Sequence, residues 1–534
     1  MIILEDSSSK IHKVFKLTLL LAFISIGLAS CKKSNEISNQ NILVITTDSV
    51  KNVLLSELDY RPIYHYTPPI NWMNDPNGLV FYKGQYHLFY QYNPNGNVWG
   101  PMNWGHATST DLYNWQDLPI ALTPDNLGTI FSGSAVIDVN NTAGFRNGTE
   151  DPMIAIFTHN GQQQYQSIAY SNDKGVNWTK YTGNPVLANP GIPDFRDPKV
   201  FWYSIGQKWI MILAAGNKVN LYSSSDLKSW KFLSDFGADV GAHSGVWECP
   251  DLFELPVEGT SSRKWVLLVS CNGGPNGGTA TQYFIGNFDG TNYSSESNNI
   301  SWIDYGTDNY AGTTYNNIPS SDGRRIMIGW MSNWSYADKV PTTKWRSTMT
   351  IPRVLSLANT SQGLSLKTLP VNEYVNYETN HADTLIQSPV SVIQLSDNKA
   401  IKTGSYEINF TVDFNKSDNF ILTLGDSKEK LTVNFDKVAS LVSIDRSASG
   451  QVDFNGQFKQ KIFCPFVPQT NQMTDIQFLI DKTSIELFLD HGNKVITALF
   501  FPVYQYNILK VQGSNNVPQI SNFSLKTIVK SLIR

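Results

Sequence analysis

The chain has 534 residues, of which 41% are hydrophobic, and its 41 basic and 45 acidic side chains leave a net charge of −4. Roughly two to four domains with sizeable cores fit this length and composition, which exclude a mainly disordered protein. The charge balance argues against nucleic acid as a partner, because phosphate binding needs clustered Lys and Arg. The four cysteines exclude a disulfide-rich scaffold. The low charged fraction of 16% and the 12% of aromatic residues suit a neutral polar ligand.

The first 31 residues are typical of a signal peptide. Three lysines precede an apolar stretch over residues 17–28, which is too short to span a bilayer. The following Leu28-Ala29-Ser30-Cys31 resembles the lipobox of bacterial lipoproteins, although an ordinary secretory signal is the alternative. We therefore expect a lipid on Cys31, a tether and entry strand over 32–60, and a location in the bacterial cell envelope, periplasmic or at the surface. The lipid anchor is the only membrane contact expected.

Short apolar and aromatic runs follow one another from residue 61 to 356. Examples are Leu79–Tyr82, Tyr86–Tyr92 and Trp209–Leu213, and Gly, Asn, Asp and Pro separate them. No long stretch of this region has helical periodicity. The pattern predicts an all-β domain.

A repeated turn sequence refines this prediction. Ser109-Thr-Asp-Leu-Tyr-Asn-Trp115 recurs as Ser171-Asn-Asp-Lys-Gly-Val-Asn-Trp178 and as Ser224-Ser-Asp-Leu-Lys-Ser-Trp230, with a weaker echo over 286–293. Each copy follows an apolar strand, and the spacing matches one four-stranded blade with its loop. Three copies, the echo and the remaining length predict a five-bladed β-propeller over residues 61–356.

The composition changes after the propeller region. Trp345 is the last tryptophan, and strands of alternating character such as Tyr406–Val412 take over. This pattern predicts a linker over residues 357–376 and a β-sandwich over 377–534.

The densest motif is Asn71-Trp72-Met73-Asn74-Asp75-Pro76-Asn77-Gly78. Taken alone, Asn-Asp-Pro-Asn-Gly is turn chemistry, because Asn and Asp cap turns, Pro restricts φ and Gly accepts positive φ. Its position just before an apolar strand changes this interpretation. A carboxylate at the inner end of the first propeller strand would point into the central funnel, which makes Asp75 a candidate catalytic group.

Two further carboxylates lie in similar turns. Asp197 is part of Phe195-Arg-Asp-Pro-Lys199, where the neighbouring arginine is expected to keep it charged. Glu248 is part of Trp247-Glu-Cys-Pro-Asp251. Each is compatible with a merely structural role, as a local ion pair or as a strand-edge glutamate. Three such turns on different blades nevertheless favour a common site.

The three motifs, in this order, resemble glycoside hydrolase family 32, which includes invertases, inulinases, levanases and fructan β-fructosidases. The resemblance runs from about Tyr64 to Arg353, and the predicted sandwich also fits the family. It includes further motifs: Phe89-Tyr-Gln-Tyr-Asn-Pro94, Trp99-Gly100, Trp104-Gly-His-Ala107, Phe131-Ser-Gly-Ser134, Asp304-Tyr-Gly-Thr-Asp-Asn-Tyr-Ala311 and Gly329-Trp-Met331.

The resemblance implies roles for individual residues. Asp75 would be the nucleophile, Glu248 the general acid/base, and Asp197 the stabiliser of the transition state that holds hydroxyls of the fructosyl ring. The walls and hydrogen-bonding groups of the sugar pocket would be Asn74, Gln91, Trp99, Phe131, Ser132, Arg196 and Trp330.

The implied reaction is cleavage of β-fructofuranosidic bonds in levan or inulin, and in sucrose, with retention of configuration. One carboxylate attacks the anomeric carbon while a protonated carboxyl group supplies the leaving oxygen with a proton. This chemistry requires neither a metal nor a cofactor, and the sequence has no dense His/Cys cluster of a catalytic zinc site. Cys249, next to the acid, is expected only to pack.

Several alternatives remain open at this stage. Asn103 stands where many exo-acting relatives carry His, so an endo-levanase is one alternative, and a transfructosylase is another. An inverting five-bladed arabinan or xylan hydrolase also uses three carboxylates, although the motifs favour the fructosidase. A non-catalytic fructan-binding lipoprotein is the alternative from another class, and the presence of all three carboxylates weighs against it.

Overall fold

The structure, a computed structural model, describes residues 42–45, 53–360, 363–379, 383–468, 472–513 and 519–530. The predicted leader, the lipidation site Cys31 and most of the tether lie outside these residues. Helix is confined to short segments of the described chain, namely the 3₁₀ turns Glu57–Tyr60 and Asn372–Tyr377 and the α-helix α1 (Lys399–Thr403). No helix in these ranges has the length and apolarity that a bilayer crossing demands.

Strand β1 (Ile42–Ile45) is followed by a β-propeller, which extends from residue 71 to residue 370. The first sheet contains β2 (Asn71–Tyr82), β3 (Gln85–Asn93), β4 (Asn103–Ser109) and β5 (Gln116–Leu122). The second contains β6 (Thr129–Ile137), β7 (Met153–Asn160), β8 (Gln164–Ser171) and β9 (Thr179–Lys180). The third contains β10 (Phe195–Tyr203), β11 (Lys208–Ala215), β12 (Val219–Ser224) and β13 (Lys231–Phe236).

Two further sheets complete the propeller. The fourth contains β14 (Trp247–Pro256), β15 (Arg263–Asn272), β16 (Thr279–Phe288), β17 (Tyr293–Ser295) and β18 (Ser301–Trp302). The fifth contains β19 (Tyr310–Thr314), β20 (Arg325–Met331) and, after β21 (Trp345–Arg346), β22 (Thr348–Met349), β23 (Arg353–Thr360) and β24 (Gly363–Pro370). Strand β21 pairs in parallel with β2 and so joins the end of the ring to its beginning.

The first strands of the five sheets surround a central channel. Each of β2, β6, β10 and β14 contacts the first strand of the next sheet, and β19 contacts both β14 and β2. These strands are almost entirely buried, because each is covered by its own sheet and by its neighbours. Side chains at their ends therefore face one shared space.

The repeated turn of the sequence connects the third strand of a sheet to the fourth. The Ser109, Ser171 and Ser224 hydroxyls donate to the aspartate two residues later, at 3.0, 2.7 and 3.0 Å. In the first copy, Oδ1 of Asp111 also accepts the backbone N–H groups of Tyr113 and Asn114. The recurring Ser-x-Asp thus closes a turn whose backbone donors would otherwise lack partners.

The linker predicted over residues 357–376 is wrong in its first part. Strands β23 and β24 pair as a hairpin as far as Pro370 and form the outer edge of the fifth sheet. Leu355 and Leu357, which alternate along β23, and Leu366 of β24 are buried against the fourth sheet, so this segment contributes to the propeller core. Short polar residues within the segment obscured this alternation in the sequence.

The second domain is a β-sandwich. Its strands are β25 (Thr384–Ile386), β26 (Val392–Ser396), β27 (Tyr406–Val412), β28 (Asn419–Gly425), β29 (Lys430–Asp436), β30 (Leu441–Ala448), β31 (Ile462–Pro465), β32 (Thr474–Asp481), β33 (Ser484–Leu489), β34 (Lys494–Leu499), β35 (Ile508–Gly513) and β36 (Ile520–Thr527). One sheet has the order β1-β26-β35-β28-β29-β30-β31, and the other β25-β36-β27-β32-β33-β34. The entry strand predicted within 32–60 thus belongs, as β1, to the sandwich.

Buried ion pairs join the sandwich to the propeller. Arg353 donates to Asp304 at 2.8 Å and also to Glu486 of the sandwich. Arg446 of the sandwich donates to Asp308 at 2.9 Å. All five side chains are almost completely excluded from solvent. The Asp304–Ala311 motif therefore serves in part to hold the two domains together.

Candidate active site

Each of the five innermost strands has an irregularity of pairing close to one end of the channel. The register shifts lie between Met73 and Pro76 in β2 and at the corresponding places in β6, β10, β14 and β19. Asp197, Cys249 and Ala311 have left-handed φ values of 64°, 47° and 54° at these points. Such bulges turn a side chain out of the regular alternation of a strand. Here they occur where the predicted catalytic residues lie.

A cavity of about 360 Å³ opens at this end of the channel. The three predicted catalytic residues Asp75, Asp197 and Glu248 line it, although they come from β2, β10 and β14. Six of the predicted binding residues also line the cavity: Asn74, Gln91, Trp99, Phe131, Ser132 and Arg196.

Asp75 is held by two side-chain donors. The Ser132 hydroxyl donates to its Oδ2 at 2.7 Å, and the Asn74 amide donates to its Oδ1 at 3.0 Å. Burial and the charge of Glu248 raise the pKa of Asp75, and these two hydrogen bonds oppose the increase. The donors thus favour the ionised form that a nucleophile needs.

Asp197 lies beside Asp75 and is buried. Its Oδ2 accepts the backbone N–H of Cys249 at 3.0 Å, and Nε of Arg196 lies 4.0 Å from the same oxygen. The charge of Arg196 lowers the pKa of Asp197, but burial acts in the opposite direction and more strongly. Burial raises the pKa of Asp197 to about 7 against the attraction of Arg196, and the charges of Glu248 and Asp75 add to the increase.

Glu248 is oriented from two sides. Arg196 donates to Oε1 from Nη2 at 3.0 Å and from Nε at 3.3 Å, and the Tyr310 hydroxyl donates to Oε2. Arg196 in turn is held by Asp194, whose Oδ1 accepts from Nη1 at 2.5 Å. The carboxyl group of Glu248 therefore has a defined direction at the edge of the cavity.

Cys249 does more than pack. Its Sγ lies 3.6 Å from Oδ2 of Asp75 and 3.6 Å from Oδ2 of Asp197. Burial, followed by the charges of these carboxylates, raises the pKa of the thiol well above its usual value. The sulfur therefore stays a neutral weak donor between two acidic side chains.

The cavity walls combine exposed aromatic rings with buried amides. Trp99 is 49% exposed and meets Phe131 edge to face, with 6.1 Å between the ring centroids. Gln91 is buried, and its Nε2 has no hydrogen-bond partner among the described residues. Because buried amides are almost always paired, this donor is available for a bound hydroxyl group.

Trp330 does not line the cavity, contrary to the resemblance. Its side chain is completely buried and contacts Trp334, with 4.8 Å between ring centroids. Trp334 is the residue that reaches the cavity. Trp330 thus supports the aromatic wall from behind, because the strand ends at Met331 and the chain then turns toward the cavity.

Gln164, Asp194 and Trp334 also line the cavity, but none of them was predicted from the sequence. Asp194 lies two residues before Arg196, and Trp334 lies four residues after Trp330, so proximity to a motif was an available signal. Gln164 lies in a glutamine run at the start of β8, and nothing in the sequence distinguishes it. The same holds for the role of Tyr310, which occurs in a motif without an assigned partner.

Comparison with known proteins places both domains in one family. The model of the glycosyl hydrolases family 32 N-terminal domain matches residues 65–368, and that of the family 32 C terminal matches residues 371–527. A levanase from Bacillus subtilis (strain 168) is 47% identical over 483 residues, which cover 88% of this chain and 71% of that protein. An extracellular exo-inulinase from Aspergillus niger is 40% identical over 489 residues, covering 83% of this chain and 90% of that protein.

Solved structures agree with this assignment. The exo-inulinase from Aspergillus awamori superimposes with a TM-score of 0.80 at 34% identity, covering 88% of this chain and 98% of that one. A fructofuranosidase from Schwanniomyces occidentalis, complexed with fructose, has a TM-score of 0.80 at 30% identity and covers 90% of this chain and all of that one. The chain therefore belongs to glycoside hydrolase family 32 and is a glycosidase.

Proposed function

We propose that the protein hydrolyses β-fructofuranosidic bonds of levan or inulin, and of sucrose, by double displacement with retention of configuration. The observation that carries this proposal is the meeting of Asp75, Asp197 and Glu248, from three different sheets, in one cavity of about 360 Å³. The similarity to a levanase and to exo-inulinases supports fructans as the substrates.

In the first step, a carboxylate oxygen of Asp75 attacks C2 of the fructosyl unit. The bond from C2 to the leaving oxygen breaks, and the proton of Glu248 passes to that oxygen. Arg196 and Tyr310 direct Glu248 toward this position. Asp197 and Gln91 bind ring hydroxyls, whose interaction strengthens as positive charge develops on the ring.

In the second step, Glu248 acts as a base. It takes a proton from water, the water oxygen attacks C2, and the ester bond to Asp75 breaks. Fructose leaves, Glu248 is protonated again, and Asp75 returns to its ionised form. The hydrogen bonds from Ser132 and Asn74 stabilise the carboxylate that this step releases.

We favour release of single fructose units from chain ends. The exo-inulinases among the similar proteins support this preference. A second hollow of about 320 Å³ shares Gln164 and Asp194 with the active-site cavity, and Asn160 and Asn189 are among the polar residues around that hollow. This hollow provides a polar place for the sugar that carries the leaving oxygen.

The test is to incubate the protein with levan, inulin and sucrose and to measure product size over time. End-acting hydrolysis yields fructose alone from levan or inulin at early times, and equal amounts of glucose and fructose from sucrose. Early oligosaccharides from levan would instead establish the endo-levanase alternative. Products from none of the three substrates would leave the fructan-binding alternative.

Retention is tested by adding methanol to the reaction. A fructosyl-enzyme transfers its fructosyl unit to methanol from the face that water uses, which gives the methyl β-fructofuranoside. Formation of the α-anomer, identified by NMR, would exclude the double displacement.

We further propose that Cys31 carries a lipid and holds the enzyme in the bacterial cell envelope. This proposal depends on Leu28-Ala29-Ser30-Cys31 and the preceding apolar stretch. Labelling of cells with a fatty acid should mark the wild-type protein, and Cys31→Ser should remove the label and release the protein from the membrane fraction. Equal labelling of both proteins would contradict the assignment.

A further inference from the structure

A larger cavity, of about 540 Å³, lies at the other end of the propeller channel. Its position follows from the strands that line both cavities. Ser132, Asp197 and Glu248 line the active site, and the residues five positions later, Ile137, Trp202 and Phe253, line this distal cavity. Strands rise by about 3.3 Å per residue, so the two cavities lie roughly 15 Å apart.

The two cavities are separated by a buried ion pair. Nζ of Lys199 lies 3.0 Å from Oδ2 of Asp251, and Lys199 also donates to the carbonyl oxygen of Thr314. Asn316, next to the distal cavity, donates to carbonyl oxygens on two first strands at 2.8 and 3.0 Å. These contacts cross the channel between the two cavities, which have no lining residue in common.

The walls of the distal cavity are aromatic. Phe201, Trp202, Phe253, Trp265 and Phe288 all line it, and several of them contact each other edge to face or tilted. Phe201, Trp202 and Trp265 are only partly buried, so part of each ring faces the cavity. Flat apolar rings of this kind provide platforms for the apolar faces of sugars.

Polar groups of both kinds stand among these rings. The Arg325 guanidinium lies over Phe253 at 5.1 Å and donates to a carbonyl oxygen, and no carboxylate lies within 4 Å of it among the described residues. Arg263 and Glu254 form an ion pair of 2.7 Å with both side chains partly exposed. Donors and an acceptor together suit hydroxyl groups, which both donate and accept. An anion would meet the Glu254 carboxylate.

We propose that the distal cavity is a second saccharide site, which binds a fructan chain without cleaving it. Its volume is typical of a small-ligand pocket, and aromatic platforms with a few polar groups are the chemistry of neutral oligosaccharides. The choice of a fructan rather than another neutral saccharide rests on the proposed function. A chain held there would raise the local concentration of chain ends near the active site.

The first experiment measures binding independently of turnover. In an Asp75→Ala background, titration calorimetry with a fructo-oligosaccharide should detect two sites. Adding Trp202→Ala, or separately Arg263→Glu at the exposed rim, should leave the active site unchanged. Either change should raise the Kd of the distal site at least about tenfold, the effect of removing one good contact. Phe232→Ala is the matched control, because this half-exposed ring on the same sheet does not line the cavity.

The second experiment measures turnover. In the otherwise wild-type protein, Trp202→Ala and Arg263→Glu should leave kcat/KM for sucrose unchanged and raise KM for polymeric levan or inulin several-fold. If the proposed function is wrong, the wild-type protein will not turn over these substrates, and the calorimetric experiment will still test the distal site. Three results would each overturn the proposal. They are a single site in the Asp75→Ala protein, two unchanged sites in the distal variants, and distal binding of a malto-oligosaccharide but of no fructan.

Discussion

Arg196 donates two hydrogen bonds to Oε1 of Glu248, from Nη2 at 3.0 Å and from Nε at 3.3 Å. The two residues belong to β10 and β14, so this contact forms only when neighbouring sheets of the propeller pack together. Asp194 accepts a hydrogen bond from the third nitrogen of the same guanidinium, Nη1. The proposed acid/base residue is thus positioned by a side chain of another sheet, which links the geometry of the site to the assembly of the ring.

Asp75→Ala should lower kcat on sucrose or levan by at least about a thousandfold, because it removes the proposed nucleophile. The melting temperature should stay close to that of the wild type, since the neighbouring strands pack without this carboxylate. Asp235→Asn, an exposed aspartate on the third sheet, is the control and should retain full activity. Wild-type turnover in Asp75→Ala would remove the nucleophile assignment.

Glu248→Gln should distinguish substrates by their leaving groups. Loss of the general acid lowers rates by about 10²- to 10⁴-fold where the leaving oxygen needs a proton, as in sucrose or levan. Activated aryl fructosides need little protonation and should lose far less in the first step. The measurement is kcat/KM for both substrate types in the same variant. An equal loss on both would show that Glu248 is not the acid.

Ser132→Ala should shift the acidic limb of the pH profile. The Ser132 hydroxyl stabilises ionised Asp75, whose pKa is already raised by burial and by the charge of Glu248. Loss of this donor raises the pKa of Asp75 further, so the ionised form of Asp75, the proposed nucleophile, disappears at a higher pH as the solution is acidified. The acidic limb of kcat/KM should therefore move to higher pH. Ser132→Thr keeps a hydroxyl and should retain the wild-type limb, whereas identical profiles for both variants would contradict the role of this hydrogen bond.

His65 should make stability depend on pH. Burial alone would lower its pKa, but hydrogen bonds to Asp481 and Glu486 raise it to about 9. A folded-state pKa above the unfolded value of about 6.5 stabilises the protein fully below pH 6.5, and this contribution is lost as the pH rises through 9. The loss corresponds to about 3 kcal/mol. Thermal melting at pH 6 and pH 9.5 should show a large decrease for the wild type.

The matched variants are His65→Gln and His491→Gln, the latter at an exposed position. The His65 variant should melt at a lower temperature at pH 6 and have a smaller decrease between the two pH values. The His491 variant should behave like the wild type. A decrease of unchanged size in His65→Gln would assign the pH dependence to other groups.

Arg446→Met should destabilise the junction of the two domains. It leaves Asp308 buried without its cation, and breaking a buried ion pair in this way costs about 3–5 kcal/mol. The expected result is a clear fall in melting temperature, with kcat/KM of the folded protein little changed. Lys459→Met removes a cation from an exposed pair and should change stability by less than about 1 kcal/mol.

Much of the architecture was predictable from local sequence. The Ser-x-Asp turns satisfy their own backbone donors within a few residues, so Asp111 and its counterparts mark the blades in the local sequence. Alternating and apolar runs indicated strands, because a strand buries its faces with a period of two residues. The motifs around Asp75, Asp197 and Glu248 were recognisable because bulges and turns impose local residue preferences.

Tertiary structure decided which side chains meet. Trp334 rather than Trp330 reaches the cavity, Tyr310 finds Glu248, and Cys249 lies between two carboxylates. β24 became an outer propeller strand instead of a linker. These contacts join residues far apart in the chain, and they depend on strand register, on bulge position and on the rotation of one sheet relative to the next. Local sequence carries the propensity of each strand, but only the packed ring sets the distances between strands.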